Sequence, residues 1–154
     1  MIGKLNAAQI EEVLHQQLIG RIGCNAGGAT YIVPISYAYD GESVYLHTYE
    51  GQKMEMMRKN PNVCFQVDTM HDMANWRSVI AWGTFEELKE EEERTKGLNV
   101  LLNRSLPLVS SETTHLGSLW PFQSNNVSEI DGIVFRIHLK DKTGRFENNQ
   151  LSNI

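Results

Sequence analysis

The sequence has little of what marks several large functional classes. Basic charge is scarce: fourteen Lys and Arg against nineteen Asp and Glu leave a formal net charge of −5. A chain that grips a nucleic-acid backbone carries a basic face. General nucleic-acid binding is therefore excluded, while a local basic pocket for one phosphate is not. Cysteine is rare too, with only Cys24 and Cys64. Both lie in apolar, strand-like runs without CxxC spacing or a paired His, which speaks against zinc and for two buried, reduced thiols. There is no HExxH-type spacing, no GxGxxG and no GxxxxGK[ST], so no metal site, Rossmann fingerprint or P-loop is expected. No apolar run approaches the roughly 20 residues that span a bilayer. The opening MIGKLNAAQIEEVLHQQ turns polar too early for a secretory leader. No membrane association and a cytoplasmic location are the expectation. Repeats, low-complexity tracts and linkers are missing as well. The 154 residues fit one domain, 1–154, whose core can form without disulfides.

What is there reads mostly as strands. Asn6 is an N-cap ahead of Ile10, Val13 and Leu14 at helical spacing, which predicts a short amphipathic helix over 6–17. LIGRIGCNA, 18–26, reads as a first strand and Gly27-Gly28 as a turn. TYIVPISYAY, 30–39, is rich in β-branched and aromatic types. Pro34 inside it cannot donate to a ladder, so it needs an edge, a bulge or a gap facing a ligand. Asp40-Gly41 is a hairpin signal with SVYLHT, 43–48, as the return strand. A short helix is predicted over 52–59, stopped by Asn60-Pro61. NVCFQVD, 62–68, alternates as a strand, 69–75 reads as a loop, and WRSVIAWGTFEEL, 76–88, is a long strand with a bulge or bend at Gly83. Residues 89–104 read as a helix with an acidic first half, 105–126 as a long loop carrying Trp120 and Phe122, and 132–140 as a last strand. Roughly six strands, hairpin-linked at first, and three helices point to a mainly β protein whose antiparallel sheet closes into a barrel.

These blocks carry a resemblance. PISYAYDGESVYLHTYEGQKMEMMRKNPNVCFQVD, then WRSVIAWGTFEEL, then FRIHLKDKTGR resemble, in order and spacing, the pyridoxamine 5′-phosphate oxidase-like FMN-binding split-barrel proteins. Within them the chain is most similar to the branch of the nitroimidazole-resistance (Nim) proteins. The resemblance covers residues 18–145 and rests on the set of blocks, not on one motif. It implies a six-stranded antiparallel Greek-key split barrel and a homodimer with FMN at each end of the subunit interface. It implies that Val33, Pro34, Ile35 and Ser36 lie along the isoalloxazine ring. His47 and Thr48 through Gln52 and Lys53 are implied to hold the phosphate, and Arg77, Ser78 and Val79 to add ring or phosphate contacts. Partner aromatics are implied to cover the exposed side. The full basic set that would grip the phosphate of a pyridoxamine substrate is missing. The implied activity is thus a flavin-dependent reduction of small organic acceptors such as nitroaromatic (5-nitroimidazole-type) compounds. On the same fold, a non-catalytic flavin-binding protein and a haem-handling protein using His47 or His115 are alternative readings.

The residue chemistry fits this outline. A phosphate wants a cation, hydroxyls and free backbone N–H groups. Thr48, Gln52 and Lys53 surround a glycine at a predicted helix start, which offers all three. Lys53 is either that cation or a surface lysine; Arg58 and Lys59, at the far end of the helix, either join it or only complement the dipole. Arg77 beside a flavin's pyrimidine edge would stabilise the reduced ring's charge, and a plain strand-edge arginine is the alternative. His47 either relays a proton, since its ordinary pKa lies near neutrality, or is a satisfied strand histidine. Trp120 and Phe122 must cover something, whether their own barrel, a partner subunit or the partner's flavin.

Overall fold

The computed structural model describes residues 1–106 and 119–149. Residues 107–118, with His115 and most of the predicted long loop, and 150–154 lie outside the described residues.

The elements run β1 (Ile2–Lys4), α1 (Ala7–Gln16), β2 (Ile19–Ala26), β3 (Ala29–Ser36), β4 (Ala38–Tyr39), β5 (Ser43–Thr48), α2 (Gln52–Lys59), β6 (Asn62–Asp72), β7 (Asn75–Glu87), α3 (Glu91–Leu102), a 3₁₀ turn (Val127–Glu129) and β8 (Ile133–Glu147). Each of the predicted helices forms. Asn6 caps α1 through a full capping box: its side chain accepts from the Gln9 N–H, and the Gln9 side chain accepts from the Asn6 N–H, both at 2.9 Å. The β2–β3 hairpin turns on Gly27 and Gly28 at φ 59° and 80°, the doubly left-handed geometry that glycine permits. Asp40 closes the next turn by accepting from the N–H groups of Glu42 and Ser43 at 2.9 and 2.7 Å.

The strands form one antiparallel sheet in the order β3-β2-β6-β7-β8-β5-β4, with β1 added beside β8. β3 and β4 stand at opposite ends of this order yet are separated in sequence only by Tyr37. The chain thus steps from one edge to the other, giving a split barrel without a closing ladder. Tyr37 is the buried pivot: its N–H donates to the Leu18 carbonyl at 3.0 Å and its hydroxyl to the Leu14 carbonyl at 2.7 Å. Inside the barrel pack Ile22, Leu46, Phe65, Val79 and Phe135, plugged at the ends by Leu14 of α1 and by Met54 and Met57 of α2. A second cluster, Tyr45, Leu98, Leu101, Ile130 and Val134, seats α3 on the outside of β5 and β8.

Three expectations need correction. The loop read at 69–75 is mostly strand, because Asp72 accepts from the Ala74 N–H and the Asn75 side chain and so turns the chain within two residues. The last strand continues to Glu147: the polar run 141–147 is held by β7 on one side and, from Arg145 onward, by β1 on the other, so pairing overrides a weak apolar pattern. Cys64 is only half-buried, facing out between the inward Val63 and Phe65, whereas Cys24 is buried; both are free thiols. The register break expected at Gly83 is present between Trp82 and Gly83. Among the described residues, no helix is long and apolar enough to cross a membrane.

Candidate functional site

Two of the predicted segments meet across the outside of the sheet. On β3, Val33, Pro34, Ile35 and Ser36 face Ile22, Arg21, Gly20 and Ile19 of β2. β3 ends the sheet order, so its other edge carries no ladder, which is the setting Pro34 tolerates. Val33 and Ile35 pack toward the core while Pro34 is exposed. Opposite Pro34, Arg21 donates to Gln66 at 3.1 Å and to Asp68 at 2.8 Å, and Gln66 donates to the Ser78 hydroxyl at 3.1 Å. A polar ladder thus runs over β2, β6 and β7 and joins the 33–36 segment to Ser78. Val79 next to it is fully buried in the core, between its ladder partners Val67 and Gly144, so its side chain is turned away from this strip. Arg77 lines a cleft of about 680 Å³ with Asp68, Trp76 and Phe146, and donates to Glu12 at 3.3 Å.

The predicted phosphate group assembles around the start of α2. Gly51 occupies the N-cap and supplies no side-chain cap, unlike Asn6 on α1. The first-turn N–H groups of α2 are therefore not taken by a capping side chain. Gln52 is exposed and Lys53 half-buried. Lys53 makes no ion pair among the described residues, although Glu55, the acid of this first turn, is exposed nearby in sequence. The helix's other end is different. Arg58 is committed to Glu50 at 2.8 and 2.7 Å and to Glu87 at 3.2 and 3.1 Å. Of the cations on this helix, Lys53 in the first turn fits an anion at the helix start and Arg58 does not.

His47 belongs to a third place. Along β5, Val44 and Leu46 enter the barrel core while Tyr45 packs under α3, so His47 also faces outward. It lies with Thr48, Tyr49, Phe122, Glu129 and Asp131 in a cleft of about 750 Å³. Its Nε2 bonds the Asp131 carbonyl, and because a carbonyl only accepts, Nε2 carries the hydrogen and Nδ1 is left as the acceptor of the neutral ring. The rings of Phe122 and Tyr49 meet it edge-on at 5.1 and 5.4 Å. Burial lowers the imidazole pKa below its usual value; the Asp131 bond opposes this and the Arg94 charge reinforces it. Arg94, from α3, fastens the loop behind by donating to the carbonyls of Ile130 at 2.6 Å and Gly132 at 3.2 Å. Phe122 packs on the α3-side cluster outside the barrel and against the His47 ring. Trp120 is partly exposed and packs with Arg104 rather than with either group above.

The predicted residues thus fall into an outer strip (33–36 and Ser78), the cleft of Arg77 beside α1, a helix start (Gln52, Lys53) and a second cleft (His47, Thr48). Thr48, at the end of β5 just ahead of α2, connects the last two. Arg21, Gln66, Asp68, Arg94 and Asp131 were not singled out from the sequence. For Arg21, Gln66 and Asp68 a signal existed, since they are the polar members of alternating runs, but their alignment depends on strand pairing.

Comparison with known proteins decides the family. The sequence model of the pyridoxamine 5′-phosphate oxidase family matches residues 6–146. The chain belongs to that family. An uncharacterized protein of Rhizobium meliloti (strain 1021) is 37% identical over 70 residues, which is 46% of this chain and 46% of that relative, so the match spans about half of it. Among solved structures, a FAD-binding protein from Mesorhizobium loti superposes with a TM-score of 0.72 at 28% identity, over 96% of this chain and 99% of that one. A candidate 5-nitroimidazole antibiotic resistance protein from Bacteroides thetaiotaomicron gives a TM-score of 0.69 at 20% identity, over 95% and 87%. The mainly β split barrel described above is the fold these neighbours share.

Proposed function

We propose that this family member is a homodimeric FMN-binding flavoprotein that passes electrons to small organic acceptors, nitroaromatic compounds among them. The observation that carries the reading is the contrast along α2. Its start has no side-chain cap and carries Lys53, which makes no ion pair among the described residues, while Arg58 is neutralised by Glu50 and Glu87. A mononucleotide phosphate matches that start in charge and hydrogen bonding. The flavin ring extends along the open edge of β3 at Pro34. Arg77 reaches its pyrimidine edge, since its exposed pair with Glu12 is weak enough to yield. The FAD-binding neighbour from Mesorhizobium loti supports a flavin in this fold.

Bound FMN would supply the redox chemistry, and the chain's residues bind, orient and move a proton. His47 is neutral near pH 7 with Nδ1 as acceptor, so it can take a proton at that atom and return it. The homodimer rests on the outer face of the sheet. Ile19 (53% exposed), Ile32 (68%), Ile80 (38%) and Trp82 (45%) lie there on β2, β3 and β7. Solvated apolar groups gathered on one sheet face suit an isologous contact.

The test is a visible-absorbance titration of the purified protein with FMN, FAD and riboflavin. A perturbed flavin band with micromolar FMN affinity is expected. Riboflavin, lacking the phosphate, should bind roughly 10- to 100-fold more weakly, the value of charge-assisted hydrogen bonds of about 1.5–3 kcal/mol. No perturbed band with any of the three overturns the flavin reading, and equal FMN and riboflavin affinities overturn the phosphate site.

A further inference from the structure

We infer that Arg104 is a positioning residue for the His47 cleft: its guanidinium ties the aromatic turn at 119–122 to the β3–β4 junction and, through Phe122, fixes how deeply the imidazole is covered. The inference concerns the cleft and stands whether or not a flavin binds.

Arg104 follows Asn103, the C-cap of α3. One end of its fork, Nη1, donates to the Tyr37 carbonyl at 3.1 Å, and the other, Nη2, donates to the Trp120 carbonyl at 2.9 Å. The guanidinium carbon also lies 5.9 Å from the centre of the Trp120 ring. Nε is buried without an acceptor, and among the described residues no carboxylate pairs with the side chain. Such a placement is costly: a cation leaves water and one of its donors goes unmet. What it obtains in return is geometric, because a planar fork reaches two carbonyls at once and an ammonium does not.

Both ends of the tie are stiff. Tyr37 is the buried pivot of the barrel, held by Leu18 and Leu14. On the other side the Phe122 N–H donates to the Leu119 carbonyl at 2.8 Å, so Trp120 and Phe122 belong to one closed turn. Phe122 then places its ring edge-on to His47. The route from the barrel pivot to the imidazole is therefore Tyr37, Arg104, Trp120, Phe122, His47. The charged and titratable groups facing the imidazole are Arg94 from α3, Tyr49 after β5, and Glu129 and Asp131 from the loop. Arg104 is not among them, so its influence has to travel through packing.

The test is the NMR titration of His47, assigned with His47→Gln, in the wild type, Arg104→Ala, Arg104→Lys and Phe122→Ala. In the wild type His47 should titrate below the usual histidine range. Arg104→Ala and Phe122→Ala should both bring it up toward about 6.5, the value of a solvated imidazole. Arg104→Lys should behave like Arg104→Ala, since it keeps the charge and loses the fork. If Arg104→Ala does not fold, the lysine variant decides. Wild-type titration in the arginine variants overturns the inference, whatever Phe122→Ala does. So does restoration by lysine, which would make the effect one of charge.

Discussion

Lys142 Nζ donates to Glu11 Oε1 at 2.6 Å and to the Tyr39 hydroxyl at 2.7 Å, so one side chain on β8 pins helix α1 to the barrel across 131 residues of sequence. Burial works to raise the Glu11 carboxyl, but the bonds from Lys142 and Tyr39 outweigh it and hold its pKa below the ordinary value. Desolvation works to lower the Lys142 ammonium, and its bonds to Glu11 and Tyr39 leave it above the ordinary value.

Lys142→Met should therefore destabilise the fold by about 1 kcal/mol, kept low by the solvent exposure of Glu11. That lowers Tm by roughly 2–4 °C in a chain of this size. The pH dependence has a sign on each side. The Glu11 share is present above the ordinary carboxylate pKa and is lost as pH falls through the depressed folded value. The Lys142 share is present below the ordinary lysine pKa and is lost as pH rises through the raised folded value. Thermal melts from pH 3 to 11 on wild type and variant check this. Curves offset by the same amount at every pH would remove the pair as the source.

Gly132 sits at φ 93°, and a Cβ there would come within 2.7 Å of His47 Nε2 and 2.8 Å of the Thr48 carbonyl. Gly132→Ala combines a left-handed backbone with a clash against the cleft, so a loss of about 2 kcal/mol or more is expected. The imidazole should also be displaced, which a shifted His47 ring signal in the NMR spectrum would report. A variant with unchanged Tm and unchanged His47 signal would contradict the close packing of this loop on β5.

Most of the fold was legible because it follows from local rules. Asn6, Gly27-Gly28, Asp40-Gly41 and Asn60-Pro61 each mark an end or a turn by its own chemistry, and Val63, Phe65 and Val67 alternate as a half-buried strand must. What was not legible depends on partners distant in sequence. β1 is three residues long and exists through pairing with Arg145, Phe146 and Glu147. The site divides the same way. Gly51, Gln52 and Lys53 are consecutive in sequence, so the helix start could be read directly. That His47 faces Asp131 and Phe122, and that Arg21 reaches Gln66, and Gln66 the Ser78 hydroxyl, required the strand register and the course of the loop after α3.

Lys53 and Arg58, at opposite ends of α2, should separate cleanly in a binding experiment. Lys53→Ala removes an ammonium from the helix start and should weaken FMN roughly 10- to 100-fold with Tm nearly unchanged. Added salt should weaken wild-type binding more than that of the variant. Arg58→Ala removes a charge already neutralised by Glu50 and Glu87 and should leave FMN affinity where it was. Fluorescence quenching of FMN measures both. Equal losses in the two variants would mean a general field effect, and no loss in Lys53→Ala would move the phosphate elsewhere.

The exposed apolar face gives the last expectation. Ile80 lies opposite Gln66 of β6 and Thr143 of β8, and Trp82 opposite Cys64 and Asp141. If two copies meet here, Ile80→Lys places a cation at a desolvated position that an identical cation approaches across the two-fold axis. The association should lose about 2–4 kcal/mol, enough to turn a micromolar dimer into a monomer at the same concentration. The fold should persist, since the side chain points away from the barrel core. Sedimentation velocity and circular dichroism on wild type and variant separate the two effects. A wild type that stays monomeric at high concentration would overturn the homodimer, and a variant that stays dimeric would place the contact on another surface; a flavin affinity that survives dissociation would show that one subunit suffices to hold the cofactor.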